Sequence, residues 1–268
     1  MEKVLVLFNG MQIVSEVLTF ASDFTKTKNA QLKVLFNSIP PSSHYFYPFP
    51  NDLKSTEVNT TSESVDEENA KLLENNIQFV KDECAIKNIN CDIVRNATKH
   101  LIVEETKTSS ILITGRGIEF PDFEIDDILG LVECPTLLIA STAPKIETII
   151  LAFDGSKNSQ YAIDKFRKIF SEYIEQPTHL VIVNHFEQIM LHKEYINATL
   201  RHAFQNLSLT QLEGNEKEEM ITYLRKFPDN TLLVIGAYGR NALSRLFHAS
   251  MAKTILQNTR VSMFLTHS

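Results

Sequence analysis

The stretch that decides the fold covers residues 232–256 and reads LLVIGAYGRNALSRLFHASMAKTIL. It opens with a short apolar run that ends at Gly236, which predicts a buried strand. Gly239 and Arg240 follow, and apolar residues return at helical spacing after Ser250. Glycines at the end of a parallel strand let a ligand approach the backbone, and a helix start offers unpaired N–H groups to an anion. The stretch therefore predicts a phosphate-binding site.

Length and composition describe an ordinary globular protein, with 268 residues, 43% of them hydrophobic and 22% charged. This length allows one α/β domain or two smaller ones. No apolar run approaches the roughly 18 residues of a membrane helix, and the first residues are too short for a signal-peptide core. The three cysteines lack metal-ligand spacing. We expect a cytoplasmic protein with reduced cysteines, no metal and no membrane contact.

Charge is unevenly distributed along the chain, whose net charge is −7. Residues 1–144 carry 12 basic and 21 acidic side chains, whereas residues 145–268 carry 14 basic and 12 acidic ones. An acidic half beside a weakly basic half argues against nucleic acid as the partner. The same asymmetry places any phosphate ligand in the second half.

Strand and helix patterns alternate through both halves, which predicts an α/β fold with parallel strands and helices on both faces. The predicted strands are 4–8, 32–36, 91–94, 111–114 and 136–139, then 148–153, 180–183, 207–212, 232–235 and 261–265. Predicted helices include 65–86, 98–107, 122–131, 186–204 and 216–227.

The two halves also form an internal repeat. VLVLFNG corresponds to IILAFDG, SILITGRG to LLVIGAYG, and PTLLIAS to VSMFLTH. The period is about 140 residues, which is too long for a solenoid. We therefore predict two tandem domains, 1–144 and 145–268.

Residues 37–63 interrupt this pattern with prolines, aromatic residues and a Ser/Thr-rich tail. Such a long loop is usually functional or disordered. Its aromatic and proline-rich part, 39–50, is either a patch for a protein partner or a lid packed on its own core. We expect residues 42–64 to be the least ordered part of the chain.

The second half resembles a universal stress protein domain. The nucleotide motif of that family is Gly-x-x-Gly, nine residues, then Gly-Ser or Gly-Thr, and here Gly236 and Gly239 precede Ala249-Ser250 at this spacing. The Asp-Gly-Ser that begins at Asp154 is similar to the family's first motif, whereas residues 1–144 match only in layout. The resemblance implies two tandem doubly wound five-stranded sheets of the adenine-nucleotide α-hydrolase-like type, each in the order 3-2-1-4-5. It also implies that the fifth strands meet between the halves.

The resemblance further implies a site for ATP, ADP or AMP, with or without Mg²⁺. Asp154 would lie near the adenine or the ribose, and Val183 would border the adenine. Around the ribose and phosphates it places Gly236, Gly239, Arg240, Ala249 and Ser250.

Alternatives remain open at several of these positions. Ala249 replaces a glycine, so its methyl group could crowd a phosphate, although its N–H remains. Asp154 could be a turn carboxylate, and Ser250 a plain helix cap. His248 suits packing or solvent better than catalysis.

The first half lacks the chemistry of a nucleotide site. Asn9 replaces the aspartate of the first motif. Carboxylates stand where phosphate needs donors, and they would satisfy a helix start themselves and repel an anion. They are Glu119, Asp122, Glu124, Asp126 and Asp127.

Three functions follow from the sequence. The first is a stress-response or regulatory protein that binds an adenine nucleotide in its second half. The second is a nucleotide-free scaffold that acts through dimerisation and protein partners, either as a pseudo-dimer within the chain or as a homodimer. The third is a related adenylating enzyme, but the Ser-Gly-Gly-x-Asp-Ser motif is absent. At most we expect a slow ATPase, because no residue is an obvious catalytic base.

Overall fold

The computed structural model describes residues 2–38, 62–140, 145–184, 186–236 and 249–266. Within these residues ten strands form one sheet, in the order β3-β2-β1-β4-β5-β10-β9-β6-β7-β8. The strands are β1 (Lys3–Asn9), β2 (Gln31–Asn37), β3 (Cys91–Val94), β4 (Ile111–Gly115), β5 (Thr136–Ile139), β6 (Thr148–Ala152), β7 (Thr178–Val183), β8 (Leu207–Leu212), β9 (Thr231–Gly236) and β10 (Ser262–Thr266). The order 3-2-1-4-5 expected for each half is confirmed.

Helices connect these strands and cover both faces of the sheet. They are α1 (Ser15–Lys28), α2 (Ser62–Lys87), α3 (Lys99–Thr106), α4 (Ile125–Leu129), α5 (Lys157–Ile169), α6 (Phe186–Leu191), α7 (Arg201–Ala203), α8 (Glu216–Leu224) and α9 (Ala249–Asn258). Alternate side chains of β6 point to opposite faces, as a strand requires. Leu151 belongs to the core cluster that includes α5, whereas Ile150 belongs to the cluster with α8 and α9. Burial on both faces explains why these strands are nearly continuous apolar runs.

The two predicted sheets are joined through their fifth strands. β5 and β10 pair antiparallel, with Leu138 opposite Met263, whereas all other strand pairs are parallel. The expectation that the fifth strands meet between the halves is therefore confirmed. The division into domains 1–144 and 145–268 remains a prediction.

An aromatic cluster packs the halves together on one face. The ring centroid of Phe170 lies 5.1 Å from that of Phe24 in α1 and 5.7 Å from that of Phe264 in β10. Lys28 and Glu172 form an ion pair of 3.1 Å across the same boundary. Buried aromatic rings bring large apolar area to a contact, so the core on this face is shared by both halves.

Several predicted elements differ in extent from the observed ones. Predicted helix 122–131 shortens to α4, because Glu124 and Asp127 form a capping box that starts the helix late. Predicted helix 186–204 is divided into α6, a π-helical segment (Tyr195–Leu200) and α7. An apolar pattern does not reveal that change in hydrogen bonding, because it records only which side chains are buried. Residues 39–61, which include most of the interrupting loop and all of its 39–50 patch, lie outside the described residues, so both interpretations of the patch stay predictions.

Candidate functional site

Three of the predicted site residues meet where neighbouring strands end. β6 lies between β7 and β9, and the chain leaves β6 toward β7 on one side but enters β9 on the other. Such a switch point is where open parallel sheets bind ligands. The register pairs Ala152 with Val181 and Leu151 with Val234. Two residues further along, the same register places Asp154, Val183 and Gly236 side by side at the carboxyl ends of these strands.

Asp154 shapes the turn between β6 and α5. Its side chain is buried, and its Oδ1 accepts a hydrogen bond of 2.9 Å from the N–H of Ser156. Ser156 in turn caps α5 by accepting from the N–H of Ser159 at 3.1 Å. Asn9, the counterpart in the first half, makes the same turn bond with the N–H of Met11, at 2.8 Å. The interpretation of Asp154 as a turn carboxylate thus has structural support, while Ser156 is the cap.

Gly236 packs against the first turn of α5. A Cβ on this residue would lie 2.4 Å from the carbonyl oxygen of Asn158 and 3.1 Å from the nitrogen of Ser159. These atoms are backbone, so they have little freedom to move aside. Packing against the helix is therefore sufficient to require glycine at this position, and the approach of a ligand to Gly236 stays a prediction.

Val183 is buried at the end of β7, with 1% of its surface exposed. It belongs to the core cluster that includes Ile235 and Met220. Asn184 follows it in the left-handed region, with a φ of 59°. Its side chain donates to the carbonyl oxygen of Gly214 at 2.6 Å and accepts from that residue's N–H at 2.9 Å. These bonds fasten the end of β7 to the segment that follows β8.

The remaining predicted residues lie at the edge of the described part or beyond it. Gly239, Arg240 and His248 are outside the described residues. Ala249 and Ser250 are the first described residues of α9, and their predicted place at the start of a helix stays a prediction. The roles of all these side chains toward a ligand remain predictions.

Three of the five predicted carboxylates in the first half, Glu124, Asp126 and Asp127, are engaged by protein groups. The side chain of Glu124 accepts from the backbone at the start of α4, and Oδ2 of Asp127 accepts from the N–H of Glu124 at 2.9 Å. Lys253 of α9 lies 3.0 Å from Oδ2 of Asp126 and 3.2 Å from Oε2 of Glu124. The carboxylates thus satisfy the helix start and hold a cation of the other half.

Arg116 is a key residue that the sequence reasoning did not single out. Its Nη1 donates to the carbonyl oxygen of Val261 at 2.8 Å, and its Nη2 donates to those of Ile255, Leu256 and Thr259. The last carbonyl groups of a helix lack intrahelical partners and carry partial negative charge, so a guanidinium there caps α9. Burial lowers the pKa of Arg116 from its ordinary value, but arginine stays charged in proteins. The available signal was an arginine between Gly115 and Gly117 at a strand end.

A cavity of about 840 Å³ lies between the halves beside Arg116. Its apolar wall includes Phe120 and Phe123, whose stacked rings lie 4.8 Å apart. The start of α4 and the end of α9 complete it, with Lys253 in its lining. The cavity therefore opens at the strand ends of the first half, away from Asp154 and its neighbours.

Among the described residues, no group of three or more His, Cys, Asp or Glu side chains is arranged to hold a metal ion. None of the helices in that part of the chain has the length and apolarity needed to cross a membrane.

Comparisons with known proteins identify the fold. The sequence matches no protein-family model and no curated protein. A universal stress protein from Archaeoglobus fulgidus DSM 4304 aligns with a TM-score of 0.65 over 98% of both chains, at 12% identity. A protein assigned as a universal stress protein from Pseudomonas aeruginosa UCBPP-PA14 aligns with a TM-score of 0.58, at 13% identity, over 99% of this chain and 93% of that one. The chain therefore has the universal stress protein fold.

Proposed function

We propose that this chain is a stress-response or regulatory member of the universal stress protein family that binds ATP or a related adenine nucleotide in its second half. One observation carries the proposal: Asp154, Val183 and Gly236 meet at a switch point of the sheet. The fold similarity supports it as well.

In this proposal the second half supplies every ligand contact. Asp154 faces the ribose or adenine, and Val183 borders the base after a small shift of the side chains that now bury it. The N–H groups at the start of α9 and the Ser250 hydroxyl bind phosphate oxygens, as helix starts do. Arg240 adds positive charge, and Mg²⁺, where present, is bound through the phosphates.

A second candidate function is a nucleotide-free scaffold that binds protein partners. It is favoured by Gly236 and Asp154, because packing against α5 and the turn at Ser156 explain both residues without a ligand. The pairing of β5 with β10 also shows that this edge is already occupied within the chain. Dimerisation of a scaffold would therefore use another surface.

Thermal unfolding of the full chain with ATP, ADP, AMP or GTP separates the two functions. Ligand at 100 times its dissociation constant should stabilise the folded state by about 2.7 kcal/mol. Asp154→Asn should keep the turn bond, as Asn9 does, yet reduce the stabilisation by adenine nucleotides. The matched control is Asn9→Asp, which should leave that stabilisation unchanged. If no adenine nucleotide stabilises the wild-type chain, the nucleotide-binding function is rejected in favour of the nucleotide-free scaffold.

A further inference from the structure

The cavity between the halves has the size of a small-molecule site. Its volume is about 840 Å³. Ligand pockets usually measure roughly 300–1,000 Å³ and are common where two domains meet. Leu138 of β5 lines the cavity from the first half, and Leu256 of α9 lines it from the second. Asp154, Val183 and Gly236 are not among its described lining residues, so the cavity does not include the described part of the proposed nucleotide site.

One wall of the cavity is aromatic. The rings of Phe120 and Phe123 are stacked, with centroids 4.8 Å apart and planes 17° from parallel. Both side chains are mostly buried, and both line the cavity. Aromatic rings pack well against one another in offset-stacked or edge-to-face arrangements. This wall therefore suits a planar aromatic group.

Arg260 is the cation of this lining that is available to a ligand. Lys253 lies 3.0 Å from Asp126 and 3.2 Å from Glu124, and Arg116 donates to carbonyl groups at the end of α9. Arg260, by contrast, is exposed and has no hydrogen bond or ion pair with another residue that the structure describes. A guanidinium can donate two parallel hydrogen bonds to one carboxylate, so Arg260 suits a ligand that carries this group.

The acidic residues of the lining would orient such a ligand. The two carboxylates beside Lys253 already have a cation. Asp229 acts electrostatically on Arg116 and so opposes the lowering of the pKa of that arginine by burial. Glu119 is exposed on the wall that the first half forms. Because like charges repel, an anionic group is directed away from Glu119 and toward Arg260 on the wall of the second half.

We propose that the cavity between the halves binds a small aromatic carboxylate. The aromatic ring packs against Phe120 and Phe123, and the carboxylate accepts hydrogen bonds from Arg260. Burial of the ring supplies most of the affinity, because removing apolar surface from water is the dominant favourable term in association. The guanidinium makes the site selective for an anion. The site needs both halves, since the rings belong to the first and the arginine to the second.

The test compares two probes that share one ring system, 2-naphthoate and the uncharged 2-naphthamide. The chain contains no tryptophan, so the fluorescence anisotropy of the naphthyl group reports binding to the full chain without a tryptophan background. The wild type should bind 2-naphthoate about tenfold more tightly than 2-naphthamide, because a hydrogen-bonded charge is added. Arg260→Ala should remove this preference and leave the affinity for 2-naphthamide unchanged. The control is Arg201→Ala, which removes an exposed arginine outside the described lining and should keep the preference.

A second variant tests the aromatic wall. Phe123→Leu keeps an apolar side chain but removes the ring, so it should weaken both probes by the same factor and leave the preference for 2-naphthoate intact. Thermal unfolding establishes that each variant is folded. Phe120→Leu serves if Phe123→Leu does not fold.

Several results would overturn the site. A wild type that binds neither probe, or binds both equally, would remove the basis for an aromatic carboxylate. A preference that survives Arg260→Ala, or is lost in Arg201→Ala, would show that Arg260 does not hold the carboxylate. Unchanged binding of both probes by the leucine variant would place the ring elsewhere.

Discussion

The guanidinium of Arg116 and the carbonyl oxygen of Val261 form a hydrogen bond of 2.8 Å between residues that are 145 positions apart. Arg116 follows the end of β4 in one half, and Val261 lies between α9 and β10 in the other. Because α9 includes Ala249 and Ser250, Arg116 secures the far end of the helix to which the proposed phosphate site would belong. The end of a helix in the second half is thus held by a residue of the first.

Arg116→Ala should lower the free energy of unfolding by about 2–3 kcal/mol, because charged hydrogen bonds to several carbonyl groups are lost. Arg116→Lys should recover part of that loss. The exposed Arg260 offers a matched control, and Arg260→Ala should change stability by no more than about 0.5 kcal/mol. Chemical denaturation measures all three, and equal effects of the two alanine variants would contradict the role given to Arg116.

Gly236→Ala and Gly115→Ala form a second pair of variants. The added methyl group at Gly236 meets backbone atoms of Asn158, whereas at Gly115 it meets the end of the Ile118 side chain, with Cδ1 at 2.7 Å. A side chain can rotate away, but a capped helix start cannot. We expect about 2–3 kcal/mol of destabilisation at Gly236 and less than about 1.5 kcal/mol at Gly115. A Gly236→Ala chain as stable as the wild type would rule out the packing role.

Glu105 should make the chain sensitive to acid. Its carboxylate lies 2.9 Å from Nζ of Lys3 and 2.8 Å from Nζ of Lys33. Burial acts to raise the pKa of Glu105, but hydrogen bonds from Lys33 and Lys3 outweigh it and the pKa is lowered. A lowered pKa stabilises the folded state at pH values above the pKa of the unfolded chain, about 4.3. This stability is lost as the pH falls through the pKa of the folded state.

The measurement is the free energy of unfolding of wild type and Glu105→Gln as a function of pH. The variant should be less stable by about 1–2 kcal/mol at neutral pH, and the difference should shrink as the pH falls below the unfolded value. Glu68 is an exposed residue of α2. The free energy of unfolding of Glu68→Gln should have the same pH dependence as that of the wild type. If the difference in free energy of unfolding between Glu105→Gln and the wild type did not change with pH, the charge of Glu105 would not be the cause of the difference.

Ala249→Gly should increase the thermal stabilisation by ATP, provided that the methyl group crowds the phosphates. Arg240→Ala should weaken the effect of ATP more than that of adenosine, because the lost interaction is electrostatic. Both variants are measured by thermal unfolding in the full chain. If Arg240→Ala weakens ATP and adenosine equally, the arginine does not act on the phosphates.

The architecture could be predicted because its signals are local. Apolar runs such as that of β9 are buried on both faces, so each strand was visible without knowledge of its neighbours. The resemblance to universal stress proteins then implied where the halves would meet. By contrast, hydrogen bonding within 186–204 left no trace in the apolar pattern, and the π-helical segment was missed.

The site was less predictable because its residues have more than one use. A glycine after a strand allows close approach, but the sequence does not say whether a ligand or α5 approaches Gly236. Arg116 was missed for a different reason, since its partners lie in α9 and just beyond it, far along the chain. Long-range capping depends on the tertiary structure, which local patterns do not record.

The antiparallel pairing of β5 with β10 inside one chain has an evolutionary consequence. Two identical subunits joined through these strands would carry every substitution twice, so each contact across the axis would recur in reverse. With PTLLIAS aligned on VSMFLTH, the counterparts of Asp126 and Lys253 are Ala252 and Asp127, which cannot repeat the ion pair. Covalent linkage therefore allows the two sides of the interface to carry different residues, such as an acidic residue on one side and its basic partner on the other.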